Sequence, residues 1–174
     1  MKLYKSLVLV GMMGSGKSLI GKILSKKLDY DFIDTDKKIE EVEKKTISEI
    51  FESNGEKYFR NIEEVISLKF LKLNEKVIAL GGGSFMNSSI RKYSQKKSIT
   101  FWLDWKNETL INRIKHSKKR PLAMKFSNSE LNKLIIKRST TYNLSDYKIN
   151  CDKLDKNQIV EKIISFYEKS KNTN

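Results

Sequence analysis

At 174 residues the chain is long enough to bury one sizeable core and too short for two independent enzymatic domains. Its apolar runs stop far below the roughly 18 residues needed to cross a bilayer, which excludes a membrane-spanning helix. The formal net charge of +14 invites a nucleic-acid reading, but pairs such as Lys26-Lys27, Lys44-Lys45 and Lys96-Lys97 are scattered among carboxylates, with no dense aromatic-plus-basic segment. A solvated surface whose positive field attracts an anionic ligand is the better account.

SLVLV (6–10) is a short apolar run ending in glycine and reads as a buried strand. After the glycine loop, Leu19, Ile20, Ile23, Leu24 and Leu28 recur at helical spacing. DFID (31–34) gives a second strand, followed by a long helical region to about residue 73 that breaks near Ser53-Asn54-Gly55. Within it Thr46 and Glu49 have the spacing of a capping box. KVIAL (76–80) and SITFWLD (98–104) are further strands. NETLINRIKH (107–116) is helical with Asn107 as its expected cap, and a helix also runs from Ser129 to about Tyr142. YKINC (147–151) supplies a last strand and NQIVEKIISFYEK (157–169) an amphipathic helix. The stretch from about Ser117 to Ser129 lacks apolar periodicity and carries the only proline, Pro121, so a mobile loop is expected.

Strands that alternate with helices predict an α/β fold: a three-layer α/β/α domain with a central five-stranded parallel sheet. In that architecture ligands gather at the carboxyl ends of the strands. The segments to search are therefore Gly11 to Ser18, Asp34 to Asp36, and the triple glycine Gly81-Gly82-Gly83.

GMMGSGKS (11–18) has the spacing G-x-x-x-x-G-K-[ST], directly after a strand and directly before a helix. Glycines let the backbone close around phosphates, and the helix N-terminus presents N–H groups and a positive dipole. Lys17 reaches the terminal phosphates and Ser18 ligates magnesium. This predicts a P-loop nucleoside triphosphatase or kinase, with Gly14, Ser15, Gly16, Lys17 and Ser18 holding the nucleotide. Two carboxylates at Asp34 and Asp36 beside that loop can divide between a metal and an acceptor hydroxyl, although Asp36 could equally cap the next helix. Cys151 is the only cysteine and excludes an internal disulfide framework; a small buried residue is expected there rather than a nucleophile. Among 35 basic residues only five are arginine: Arg60, Arg91, Arg113, Arg120 and Arg138. Each is a candidate for a place that needs a planar, bidentate fork.

In order and spacing, GMMGSGKS, DTD, GEKYFRNIE (55–63), LGGG (80–83), KRPL (119–122) and RSTTY (138–142) resemble the shikimate kinase family, over about residues 6–151. The resemblance implies a nucleoside monophosphate kinase-like fold and transfer of the ATP γ-phosphoryl group to the 3-hydroxyl of shikimate, in aromatic amino acid (chorismate) biosynthesis. It implies one Mg²⁺ near Ser18 and Asp34, and Asp36 on the shikimate hydroxyls as base or orienting group. Arg60 and Arg138 would grip the shikimate carboxylate, Arg120 would belong to a lid over the transferring phosphate, and Arg113 would stack near the adenine. With Asp36, Lys17 and Arg120 as the catalytic set, the expectation is one kinase domain over 1–174. It has a substrate-binding helical region at about 35–73 and a mobile lid at about 114–129. A cytoplasmic monomer is expected, using ATP and shikimate without nucleic acid or membrane. The loop after Cys151, DKLDKNQ, departs from the family pattern and leaves the adenine contacts there unassigned.

Gly81, Gly82 and Gly83 are expected to form a backbone wall that lets a flat polyhydroxy ring approach and bond to main-chain N–H groups. A related kinase for another polyol acid, such as gluconate, would share the P-loop but not LGGG with Arg60 and Arg138. A basic nucleic-acid-binding module that uses the P-loop for regulation is the alternative from another class, and it predicts steeply salt-dependent binding.

Overall fold

The strands are β1 (Ser6–Val10), β2 (Asp31–Asp34), β3 (Lys76–Ala79), β4 (Ser98–Asp104) and β5 (Tyr147–Asn150). In this computed structural model, which describes residues 4–117 and 126–171, they form one parallel sheet in the order β2-β3-β1-β4-β5. Central β1 sets the register, with Leu7 opposite Val77 and Ile99, and Leu9 opposite Ala79 and Phe101. From β1 the chain crosses outward to β2 and later to the other side for β4, so the direction of winding reverses beside β1. At such a switch point the loops leave a crevice at the strands' carboxyl ends.

Seven helices accompany the sheet among the described residues: α1 (Lys17–Leu28), α2 (Thr35–Glu43), α3 (Ile47–Leu71), α4 (Ser88–Lys97), α5 (Asn107–Lys115), α6 (Asn128–Tyr142) and α7 (Lys156–Lys171). Successive strand residues point to opposite faces. Leu7 and Leu9 therefore pack with Ile20 and Leu24 of α1 and with Ile159, Ile163 and Tyr167 of α7. Val8 and Val10 pack with Leu71 of α3, Ile90 of α4, Ile114 of α5 and Ile135 of α6. The result is the expected three layers, and each such buried side chain contributes about 1.5–3 kcal/mol. A third cluster, Ile39, Ile50, Phe59 and Ile66, joins α2 to α3. Among the described residues no helix is long and apolar enough to cross a membrane.

The helical region after β2 breaks twice. Gly55 leaves helical geometry at φ 80° and ψ 171°, where the break was expected. A second break falls at Lys44 to Thr46, where the capping box of Thr46 with Glu49 starts α3. Asn107 does not cap α5. Its amide bonds Asn132 Oδ1, while the Lys106 N–H at that helix start is taken by Asp152 Oδ2 at 2.7 Å. Helix α4 and the 3₁₀ turn Ser84–Met86 before it were not anticipated. Only Ile90 and Ser94 of α4 are buried, too few to give a periodic signal; its N-cap is Asn87, whose side chain accepts from the Ser89 and Ile90 N–H groups. Of the expected lid at 114–129, residues 118–125, with Arg120 and Pro121, lie outside the described residues. Its flanks belong to α5 and to α6, whose own capping box is Ser127 with Glu130.

Candidate active site

The loop after β1 turns on three glycines. Gly11, Gly14 and Gly16 adopt φ of 141°, 85° and 88°, a half of conformational space that a side chain resists. These turns bring the chain back onto the N-terminus of α1, and a helix N-terminus is a place where backbone N–H groups and the helix dipole favour an anion. Lys17 folds across the loop and its Nζ donates to Gly11 O at 2.7 Å and Met12 O at 3.1 Å. Ser18 Oγ donates to Asp34 Oδ2 at 2.6 Å, which joins the start of α1 to the end of β2. These two adjacent oxygens are hard donors of the kind magnesium takes, since it binds through one or two protein ligands plus waters and phosphate oxygens.

Asp36 sits in the first turn of α2, and Asp34 rather than Asp36 is that helix's cap. The Asp36 carboxyl is enclosed enough for desolvation to dominate. Its pKa is pushed up from 3.8 to about 7, with Asp34 adding to the rise and the Lys17 charge opposing it. The triple glycine explains how Asp36 fits. A Cβ on Gly81 would lie 2.3 Å from Asp36 Oδ1, one on Gly83 2.5 Å from Arg60 Nη1, and one on Gly82 3.1 Å from the Met13 amide nitrogen. The three missing side chains thus make room for Asp36, for the phosphate loop and for Arg60 in turn. None of the three takes a positive φ, so close approach and not backbone conformation is what requires glycine here. The Gly81 N–H, one of the donors expected to face a ligand, is instead given to Thr35 Oγ1 at 3.0 Å.

Arg60 follows the Gly55 break on α3. Its Nη1 donates to Glu63 Oε2 at 2.7 Å, and its Nε and Nη2 reach Glu56 Oε1 at 3.3 and 3.2 Å. Burial opposes the charge on this guanidinium, but Glu63 and Glu56 outweigh it and raise its pKa above the ordinary arginine value. Glu63 is only 2% exposed and its other oxygen accepts from Ser84 Oγ at 2.7 Å. A buried carboxylate thereby ties Arg60 to the end of the glycine run. Arg138 of α6 reaches the same run from the opposite side, with Nη1 3.4 Å from Gly82 O and 3.6 Å from Met12 Sδ. Tyr142 also donates to Gly82 O, and burial pushes its hydroxyl up to about 12, against the lowering effect of Arg138, so it stays a donor. Arg91 has a structural place: Nη1 bonds the carbonyls of Phe85 and Met86 at 2.9 and 3.1 Å and holds the 3₁₀ turn.

On the far side of the phosphate loop, Arg113 of α5 lies over the ring of Trp105 with Cζ 3.7 Å from its centroid. Trp105 Nε1 donates to Ser15 O at 2.9 Å. Cys151 is buried and its thiol is raised to about 12, first by desolvation and then by Asp104 and Asp152, which leaves no thiolate at neutral pH. His116 caps α5, its Nδ1 2.8 Å from Asn112 O.

The structure therefore gathers Lys17, Ser18, Asp34, Asp36, Arg60, Arg138 and the triple glycine at one end of the sheet, with Arg113 beside the phosphate loop. Arg120 lies outside the described residues. Sequence reasoning missed Thr35, Glu63, Trp105 and Tyr142. For Glu63 a signal existed, an acidic residue three positions after Arg60 on a helix, which puts both on one face.

A family described as Shikimate kinase matches residues 13–168. A shikimate kinase of Sulfurihydrogenibium sp. (strain YO3AOP1) is 39% identical over 161 residues, 92% of this chain and 96% of its own length. The structure of shikimate kinase from Acinetobacter baumannii in complex with shikimate superposes with a TM-score of 0.90 at 29% identity, over 97% of this chain and 95% of that one. A gluconokinase from Sinorhizobium meliloti reaches a TM-score of 0.60 at 17% identity, covering 97% of this chain and 94% of its own, and shares the fold alone. With the family matched across nearly the whole sequence and the fold repeated in a solved member, this chain belongs to the shikimate kinase family.

Proposed function

We propose that the protein transfers the γ-phosphoryl group of ATP to the 3-hydroxyl of shikimate, giving shikimate 3-phosphate and ADP. The observation that carries this reading is the triple glycine, into which Asp36, the phosphate loop and Arg60 all fit. In support of it, a carboxyl whose pKa is raised to about 7 packs against Gly81, the loop residue Met13 against Gly82 and the Arg60 guanidinium against Gly83. The reaction asks for alignment of a hydroxyl with a phosphoryl group and for neutralisation of charge, with little covalent work by the protein.

In this reading Asp36 accepts the proton of the attacking hydroxyl, or orients it, from its place against Gly81. Arg60, held by buried Glu63, and Arg138, held at Gly82 O, receive the substrate carboxylate from two directions. Glu56 is exposed, so a ligand carboxylate can replace it on the Arg60 fork. Lys17 turns from the loop carbonyls to the phosphates, and Gly14, Ser15 and Gly16 cradle them with backbone N–H groups. Ser18 and Asp34 would hold one Mg²⁺, whose charge when bound offsets that of the β- and γ-phosphates. Arg120 and a lid over 114–129 would complete the closure, and 35–73 would form the acceptor-binding part of a single kinase domain. The protein is proposed to work as a cytoplasmic monomer.

The test is ADP release measured with shikimate, gluconate and AMP as acceptors, with Mg²⁺ present. Shikimate alone should stimulate it. Stimulation by gluconate or AMP without shikimate would overturn the assignment, and salt-sensitive RNA binding with no acceptor-dependent turnover would favour the nucleic-acid alternative.

A further inference from the structure

Trp105 is the first residue after β4, and its indole makes two separate contacts beside the phosphate loop. Its ring lies under the Arg113 guanidinium at 3.7 Å. Its Nε1–H is spent on Ser15 O, in the middle of the phosphate loop, at 2.9 Å. Arg113 is exposed, and an exposed arginine ordinarily samples many rotamers. An indole beneath it restricts the plane to one orientation, and a planar cation with one face on an indole has a second face for a purine. The turn that carries Trp105 is itself fixed. Asp152 accepts from the Lys106 N–H at 2.7 Å and from Thr109 Oγ1 at 3.0 Å, and Cys151 N–H bonds Asp104 O at 2.9 Å. The loop and the helix also meet directly, since a Cβ on Gly14 would touch Ile114 at 3.4 Å and Arg113 Cβ at 3.7 Å.

We infer that Trp105 is a positioning residue for the nucleotide: it holds the Arg113 plane ready for the base and, through the same indole, fixes the phosphate loop. The inference rests on the reading that a purine nucleoside triphosphate is the phosphoryl donor. It gives the base side of the site a platform on α5 and β4, where the loop after Cys151 supplied no recognisable contact. One side chain then couples the two ends of the nucleotide.

The test is calorimetric binding of ADP and of inorganic pyrophosphate, each with Mg²⁺, to the parent, Trp105→Phe, Trp105→Leu, Arg113→Ala and the double variant Arg113→Ala/Trp105→Leu. Trp105→Leu removes ring and donor, and should weaken ADP about tenfold but pyrophosphate only about threefold. Trp105→Phe keeps a ring under Arg113 and should weaken both probes alike, by about threefold. In the Arg113→Ala background, Trp105→Leu should cost ADP no more than it costs pyrophosphate, because the base arm has already gone. Shikimate KM at saturating ATP should stay at the parent value in both Trp105 variants while the KM for ATP rises. Equal losses of ADP and pyrophosphate in Trp105→Leu, or ADP affinity within about twofold of the parent, would overturn the platform. If Trp105→Leu does not fold, unchanged binding of both probes by Trp105→Phe overturns the loop contact. A parent that binds Mg-ADP but does not phosphorylate shikimate sinks the acceptor assignment and leaves this comparison intact. A parent that does not bind Mg-ADP sinks the inference as well.

Discussion

The enclosure around Asp36, which is proposed to serve the acceptor hydroxyl, disfavours its charge and pushes its pKa up to about 7. Its folded pKa of about 7 lies above the 3.8 of an open chain, so the folded state binds this proton more tightly. The stabilisation is complete below about pH 4 and is lost as the pH rises through about 7. Asp36→Asn removes that dependence: in thermal melts it should match the parent near pH 4 and exceed it at pH 8, by an amount on the order of 1–3 kcal/mol. Turnover should fall about 10²–10⁴-fold while ADP binding stays near the parent value. With both substrates below saturation, the parental rate should rise with pH through about 7, and a profile flat across that range would remove Asp36 from proton handling. Lys17, Ser18, Asp34 and Asp36 were legible because each sits in a short motif whose spacing carries the chemistry. Thr35 was not, because its partner Gly81 lies 46 positions away in the chain; Glu63 showed only its helical spacing to Arg60, while its other partner, Ser84, lies 21 positions away.

The glycine run after β3 acts as one element, and a single methyl group tests it. Gly81→Ala places a carbon 2.3 Å from Asp36 Oδ1 and 2.8 Å from Ser84 Oγ. Overpacking of this kind costs about 1–3 kcal/mol, and here it also drives the Asp36 carboxyl from the place where it is proposed to meet the acceptor. The variant should lose about 10²-fold in kcat/KM for shikimate and melt below the parent. In an Asp36→Ala background the same substitution should cost less stability, since half of the clash has gone; an undiminished cost would show that Asp36 is not what the glycine accommodates. Strands and helices with one apolar stripe were readable from periodicity. Helix α4 was not, because ten residues with two buried positions carry no periodic signal, and the purpose of the glycines was hidden because close approach leaves no trace in local sequence.

For the molecule as a whole, the five strands, their parallel direction and the three layers followed from alternation of strand and helix, and the inner strands, buried on both faces, read as near-continuous apolar runs. Net charge was read just as directly, and it bears on rate. A field from +14 charges draws in a nucleotide and a carboxylate, and such steering is screened over about 8 Å at physiological salt. Raising KCl from about 0.02 to 0.5 M should therefore lower kcat/KM for ATP severalfold while kcat changes little. An equal fall in kcat would mean that salt acts on the chemistry instead.

Thr35 lies between the two aspartates of the second strand's end. Its buried hydroxyl donates to Ala79 O at 3.3 Å and accepts the Gly81 N–H at 3.0 Å. The DTD segment and the glycine segment are riveted together through it, so they inherit each other's position to within a hydrogen bond. The acceptor pocket proposed here cannot be transplanted one loop at a time. A graft of either segment into a sister kinase to change its substrate must carry the threonine with it, or the two halves of the pocket will arrive out of register.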